Sequence, residues 1–214
     1  MKKNTRAEKA QLKSQAILKA AASLFVKSGY AGTSMSEIAK EAKVTQSLIH
    51  HYFGSKKELW AEVKRTFFSR YIENQEGIMD KHESSPVKLL EQTLRQRFEF
   101  FRNNPDVSRF LSWMELEQDT TGLEDGDDLF LSALKEIRHA QSKGIIRENI
   151  DPKYILSVLI SMTNYWFRAR HFFQHWFSLE TQISTANDEP IDDQTYLDEA
   201  LNIFFRGILN PKIE

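Results

Sequence analysis

Two Ser-x-x-Glu boxes, Ser34 to Glu37 and Ser55 to Glu58, fix where two helices begin and leave little chain between them. After the first box, Ile38, Ala39 and Ala42 form an apolar face, while Lys40, Glu41 and Lys43 point toward water. Val44 marks a turn. Beyond it Leu48, Ile49, Tyr52 and Phe53 recur at helical spacing, so a second short helix packs back on the first. That packing leaves Thr45, Gln46, Ser47, His50 and His51 outward. Two helices this short bury no core alone. Residues 12–27 supply a third, with Ile17, Ala20, Ala21, Leu24 and Phe25 on one stripe and Gly29 as its stop. The pattern is a three-helix unit built around a helix-turn-helix.

Charge divides the chain at the same place. Residues 1–57 hold 11 Lys and Arg against 3 Asp and Glu, and residues 58–214 hold 18 against 27. The formal net charge of −1 therefore hides a basic head and an acidic body. Phosphate binding answers to the local field, so the head is suited to nucleic acid whatever the total.

Residues 15–59 resemble the DNA-binding domain of the tetracycline-repressor (TetR) family of bacterial transcription regulators. The resemblance lies in ILKAAASLFVKSGYAGTSMSEIAKEAKVTQ and in HYFGSKKEL. Gly29-Tyr30, Thr33, Ile38-Ala39, Val44, Tyr52-Phe53, Lys56 and Leu59 keep the family's order and spacing. The resemblance implies that the third helix enters the major groove and that the start of the fourth touches phosphate. Thr45, Gln46, Ser47, His50, His51 and Tyr52 are then the recognition-helix candidates, and Thr33 and Lys56 the phosphate contacts. His50 stands where the family usually has tyrosine and Leu48 where it often has threonine, so no operator sequence carries over. Gln suits adenine, and Ser or Thr suit bases or phosphates. The recognition helix has no Arg, so phosphates and DNA shape are expected to supply much of the affinity.

The body is expected to be helical throughout, giving an all-α fold. The expected division is residues 1–55, a DNA-binding domain whose residues 1–13 are a basic tail or arm, and residues 56–214, a helical domain for effector binding and dimerisation. Helices are expected over 56–79, 87–102, 105–118, 129–142, 152–175 and about 193–209, with polar loops at 119–128 and 178–193. Ser85-Pro86, Asn104-Pro105 and Asp151-Pro152 each place Pro at a first helical position. There is no cysteine, no run of about 18 apolar residues, and no apolar segment behind the N-terminal charges. Neither membrane nor secretion is expected, and the cytoplasm is the expected compartment.

The helix after Asp151 is apolar on more than one face, and the last helix carries a broad apolar stripe. Leu159, Leu197, Leu201, Phe204 and Phe205 are the expected contacts of a homodimer formed from these two helices, an arrangement the resemblance also implies. A single recognition helix reads too few base pairs for useful specificity. The body is rich in large aromatics, which line pockets between helices around a few polar anchors. Phe67, Tyr71, Phe101, Trp113, Asn164, Trp166, Arg168 and His171 are the candidate effector contacts, with Arg97, Glu115 and Arg170 as further anchors. The effector is expected to be small and partly apolar.

His171 and His175 share a helix face but lack a third metal ligand. The Glu136 to His139 spacing of di-iron bundles occurs once where two copies are needed. No phosphate-cradling Gly loop, G-x-S-x-G elbow or cysteine nucleophile is present. No catalytic residue, metal or cofactor is expected. The function expected is a ligand-responsive DNA-binding regulator, a repressor released from operator DNA by its effector. The alternative is an all-α ligand-binding or carrier protein whose basic head binds another acidic partner.

Overall fold

The computed structural model describes residues 5–79, 85–121, 126–180 and 192–211. Among the described residues there are nine α-helices and no strand: α1 Arg6–Ser28, α2 Met35–Glu41, α3 Gln46–Phe53, α4 Lys56–Met79, α5 Pro86–Asn103, α6 Pro105–Leu116, α7 Asp127–Ser142, α8 Pro152–Glu180 and α9 Asp193–Ile208. They fall into two compact units. The first is Met1–Arg70 with Arg109–Asp125, and the second is Tyr71–Ser108 with Gly126–Glu214. This grouping by packing differs from the expected division at residue 55, which was one of role: α4 and α6 each contribute to both units.

In the first unit α1, α2 and α3 close on Ile17, Ala21, Phe25, Ile38 and Ile49, all buried. Both expected capping boxes form. Glu37 accepts from Ser34 N at 2.8 Å, and Glu58 accepts from Ser55 N at 2.6 Å. A third box was missed. Thr5 and Glu8 cap α1, so the helix begins at Arg6 and takes in most of the segment expected to be a tail or arm. Residues 1–4 of that segment lie outside the described residues. The turn between α2 and α3 puts Lys43 at φ 54, a left-handed conformation unusual for a residue with a Cβ.

The end of α6 is part of this first unit. Gly29, at φ 70, closes α1 directly against Trp113, and a Cβ there would stand 2.7 Å from the indole ring. Trp113 Nε1 donates to Val26 O at 3.1 Å, and Glu117 Oε1 accepts from Tyr30 N and Ala31 N. Only glycine fits this joint, because it meets both the backbone conformation and the lack of space.

The second unit has its own core. Leu94 and Phe98 of α5, Leu134 and Ile137 of α7, Ile155 and Leu159 of α8, and Leu197 and Leu201 of α9 pack together. The C-terminal end is tied down by Arg147 N to Ile208 O and Asn210 N to Ile145 O, both 2.9 Å, around an isolated antiparallel bridge of Ile146 with Leu209. Helix α8 runs about a turn beyond its expected end. Most of the expected 178–193 loop, at 181–191, and residues 122–125 of the 119–128 loop lie outside the described residues.

This core corrects the expected dimer contacts. Leu159, Leu197, Leu201 and Phe204 are buried within the chain's own second core, and Phe205 is half-buried. A broad apolar stripe in sequence does not say which part faces the chain itself. The large apolar residues left exposed on α8 are Tyr154, Val158, Tyr165, Phe172, Trp176, Phe177 and Leu179, and on α9 Ile203.

Candidate nucleic-acid interface and body anchor

Thr45 caps α3, its Oγ1 accepting from Leu48 N at 3.3 Å, so its hydroxyl is engaged in starting the helix. Gln46, Ser47, His50 and His51 follow it and are exposed, while Ile49 is buried beneath them. A short helix pinned by one apolar side chain thus presents a polar edge. Tyr52 is half-buried, its ring 5.4 Å from that of His51.

His50 is held by its own helix end. Its Nδ1 lies 2.7 Å from Gly54 O. A carbonyl only accepts, so Nδ1 carries the proton, and Nε2 of the neutral ring is an acceptor. That arrangement suits the amino hydrogens of adenine or cytosine rather than the acceptor edge of guanine.

Lys56 is half-buried with its ammonium 4.3 Å over the Tyr30 ring, which fixes the start of α4 against the loop after α1. Thr33 is a correction. It is buried, and its hydroxyl donates to Gly29 O at 2.8 Å and Leu24 O at 3.2 Å. Its hydroxyl braces the end of α1 rather than facing a phosphate.

A buried ion pair that sequence reasoning passed over lies in the same unit. Lys64 of α4 is 2 % exposed and donates to Asp119 Oδ2 at 2.9 Å, to Thr121 O at 2.7 Å, and to Thr121 Oγ1. Trp60 Nε1 donates to the same Asp119 oxygen at 2.6 Å. Burial disfavours the Asp119 carboxylate. The hydrogen bonds from Trp60, Thr121 and Lys64 together outweigh burial and hold the carboxyl well below the usual range. A lysine amid helical residues and an aspartate in an acidic loop gave no signal of pairing.

The candidate effector contacts scatter. Phe67 and Trp113 belong to the first unit, where Phe67 packs on Phe110 at 4.7 Å. Trp166 is buried in the second core, stacked on Tyr196 at 3.9 Å, with its Nε1 bound to Asp193 Oδ1 at 2.8 Å. It has no surface left for a ligand. His171 is exposed beside Phe172, and Arg168 stands 5.9 Å from the Tyr165 ring. Tyr71, Phe101 and Asn164 are brought together, and Arg97 is what joins them. Its Nη2 donates to Asn164 Oδ1 at 2.8 Å, its Nη1 to the Tyr71 hydroxyl, and its Nε to Thr163 Oγ1 at 2.9 Å. Thr163 was missed because a hydroxyl on an apolar helix reads as filler.

Among the described residues no cluster of three His, Cys, Asp or Glu can hold a metal, and no helix is long and apolar enough to cross a membrane.

Residues 17–63 match the model of bacterial regulatory proteins, tetR family, and residues 93–182 match the model of the tetracyclin repressor-like C-terminal domain. The chain is 27% identical over 154 residues to the HTH-type transcriptional repressor SCO4008 of Streptomyces coelicolor, covering 70% of this chain and 75% of that one. It is 25% identical over 201 residues to the HTH-type transcriptional regulator RutR of Escherichia coli K12, covering 92% and 89%. The fold matches the crystal structure of AibR in complex with isovaleryl coenzyme A and operator DNA, with a TM-score of 0.67 at 20% identity over 90% of this chain and 98% of that one.

Proposed function

The chain belongs to the tetR family of bacterial regulatory proteins, and from that premise we propose that it is a cytoplasmic repressor whose α3 reads operator DNA and whose second unit binds a small effector. The observation that carries the reading is the exposed polar edge of α3, Gln46, Ser47, His50 and His51, set on a closed three-helix core in a basic head. Its role is binding rather than catalysis. Gln46 and the Nε2 of His50 contact bases, and Lys56 adds charge near phosphate. AibR, solved with both an acyl coenzyme A and operator DNA, supports a fold that serves both partners.

Two copies bind successive major grooves, about 34–36 Å apart. The exposed stripe on α8, together with Ile203 of α9, supplies the pairing face, since apolar patches of this kind mark interaction surfaces. Effector binding favours a spacing of the two α3 helices that fits DNA less well, so effector and operator weaken each other by the same factor.

The test begins with selection of a binding sequence from random duplexes by the full chain. Gln46→Ala and His50→Ala should each weaken that site by about 1–3 kcal/mol and relax preference at one or two base pairs. Lys56→Ala should weaken all duplexes alike and flatten the salt dependence. Undiminished affinity in both α3 variants would overturn the assignment of the reading edge. Absence of any selected sequence would favour the carrier alternative.

For assembly, Val158→Asp should shift the mass by light scattering toward the 25.0 kDa of one chain while helicity is kept. A parent already at that mass would refute pairing. A charge at Leu201 or Phe204 is no test of it, because those residues support the chain's own core.

A further inference from the structure

Among the described residues of the second unit, a half-buried cation stands without a carboxylate partner. Arg97 is half-buried on α5, and its three hydrogen-bond acceptors, Thr163, Asn164 and Tyr71, are all neutral. Its guanidinium carbon stands 5.0 Å from the Tyr71 ring centroid and 4.9 Å from that of Phe101. Those two rings stack at 5.8 Å and 23°. Its helical neighbours are treated differently: Arg95 pairs with Glu91 and Asp198, and Arg102 with Glu99. Among the described residues no carboxylate reaches Arg97. The neutral partners hold the plane of the fork without neutralising it, and of its five N–H donors three are engaged.

Gln75 gives a second, independent observation. It follows Tyr71 by one turn on the same face of α4, is 1 % exposed, and donates through Nε2 to Asn74 Oδ1 at 3.1 Å. Its Oε1 has no hydrogen-bond partner among the described residues. A buried carbonyl without a donor is destabilising, and native structures rarely keep one without a use.

We propose that this seam of α4, α5 and α8 is the head-group subsite of the effector. The effector is a small organic carboxylate whose oxygens take the open donors of Arg97 while a donor group of the same molecule meets Gln75. The proposal rests on the reading of the second unit as effector-binding. A planar carboxylate matches the guanidinium fork, and its single charge balances a single cation. A phosphate would bring more charge than one arginine offsets. Phe100, Phe101 and Tyr71 favour an apolar remainder beside the head group.

The experiment uses the full chain and a fixed set of probes that each join a carboxylate to a hydroxyl donor, 6-hydroxyhexanoate, 4-hydroxybenzoate and 4-hydroxyphenylacetate, each beside its primary amide. Calorimetry gives affinity, and release of the selected operator duplex gives response. At least one carboxylate should bind more tightly than its amide and release the operator. R97Q should weaken that binding at least ~10-fold, and R97K should fall between, because it keeps the charge and loses the fork. Circular dichroism and operator affinity should be unchanged in both. If R97Q does not fold, R97K decides, and parent-like affinity for the carboxylate would overturn the proposal. No carboxylate binding better than its amide, or R97Q binding as the parent does, would also overturn it. In either case specific operator binding by the parent leaves the regulator reading standing, whereas its loss strikes that reading instead.

Discussion

The two units each carry a buried or half-buried cation, and they treat it in opposite ways. In the first, Lys64 meets a carboxylate, a carbonyl and a hydroxyl, and the carboxylate is itself bound by Trp60. In the second, Arg97 meets only neutral oxygens and aromatic faces, and Gln75 one turn from its partner Tyr71 keeps an unbonded oxygen. The first cluster is complete within the chain and holds α4 to the segment after α6 in one geometry. The second is incomplete within the described residues and is suited to being finished by another molecule. Under the proposed assignment of reading to the first unit and sensing to the second, rigidity serves the one, and polar groups whose partner arrives later serve the other.

The largest test of this contrast is Asp119→Asn. It leaves Lys64 buried with its charge uncompensated and should lower unfolding free energy by about 3–5 kcal/mol, measured by urea titration. The sign with pH follows from the depressed Asp119 pKa. The contribution is fully present above the unfolded carboxylate value, about 3.9, and is lost progressively as pH falls from there through the depressed folded value. Parent and variant stabilities should therefore begin to converge below about pH 4 and meet only as pH falls on through the depressed folded value. A variant as stable as the parent at pH 7 would mean that the first unit does not depend on its completed pair.

The smallest effect is expected at Gln75→Leu. The side chains are similar in size, and the change removes a buried oxygen that has no partner together with one bond from Nε2 to half-buried Asn74, whose oxygen can turn to water. Stability should be unchanged or rise by up to about 1–2 kcal/mol. A loss of more than about 2 kcal/mol would show that Gln75 is bonded as firmly as Lys64 and would erase the difference between the units.

Much of the first unit was legible because its signals are local. Ser34 with Glu37 and Ser55 with Glu58 set helix starts within four residues, and the stripe from Ile17 to Phe25 set the supporting face. The same rule applied to Thr5 and Glu8 would have started α1 at Arg6. The second unit was less legible in its sites than in its helices. Trp166 and Tyr71 look alike in sequence, as large aromatics on apolar helices, yet one is sealed against Tyr196 and the other bonds Arg97. Leu159 and Val158 are adjacent aliphatic residues, and only Val158 is exposed.

The sequence by itself determined the helices, the helix-turn-helix, the polar edge of α3 and the family, because capping, periodicity and motif spacing act over a few residues. The tertiary structure alone decided that Thr33 turns inward, that Trp113 closes on Gly29, that Lys64 finds Asp119, and that Arg97 gathers Tyr71, Phe101 and Asn164. Those pairings join residues far apart in the chain. Which partners meet depends on how whole helices pack, and no local pattern encodes that.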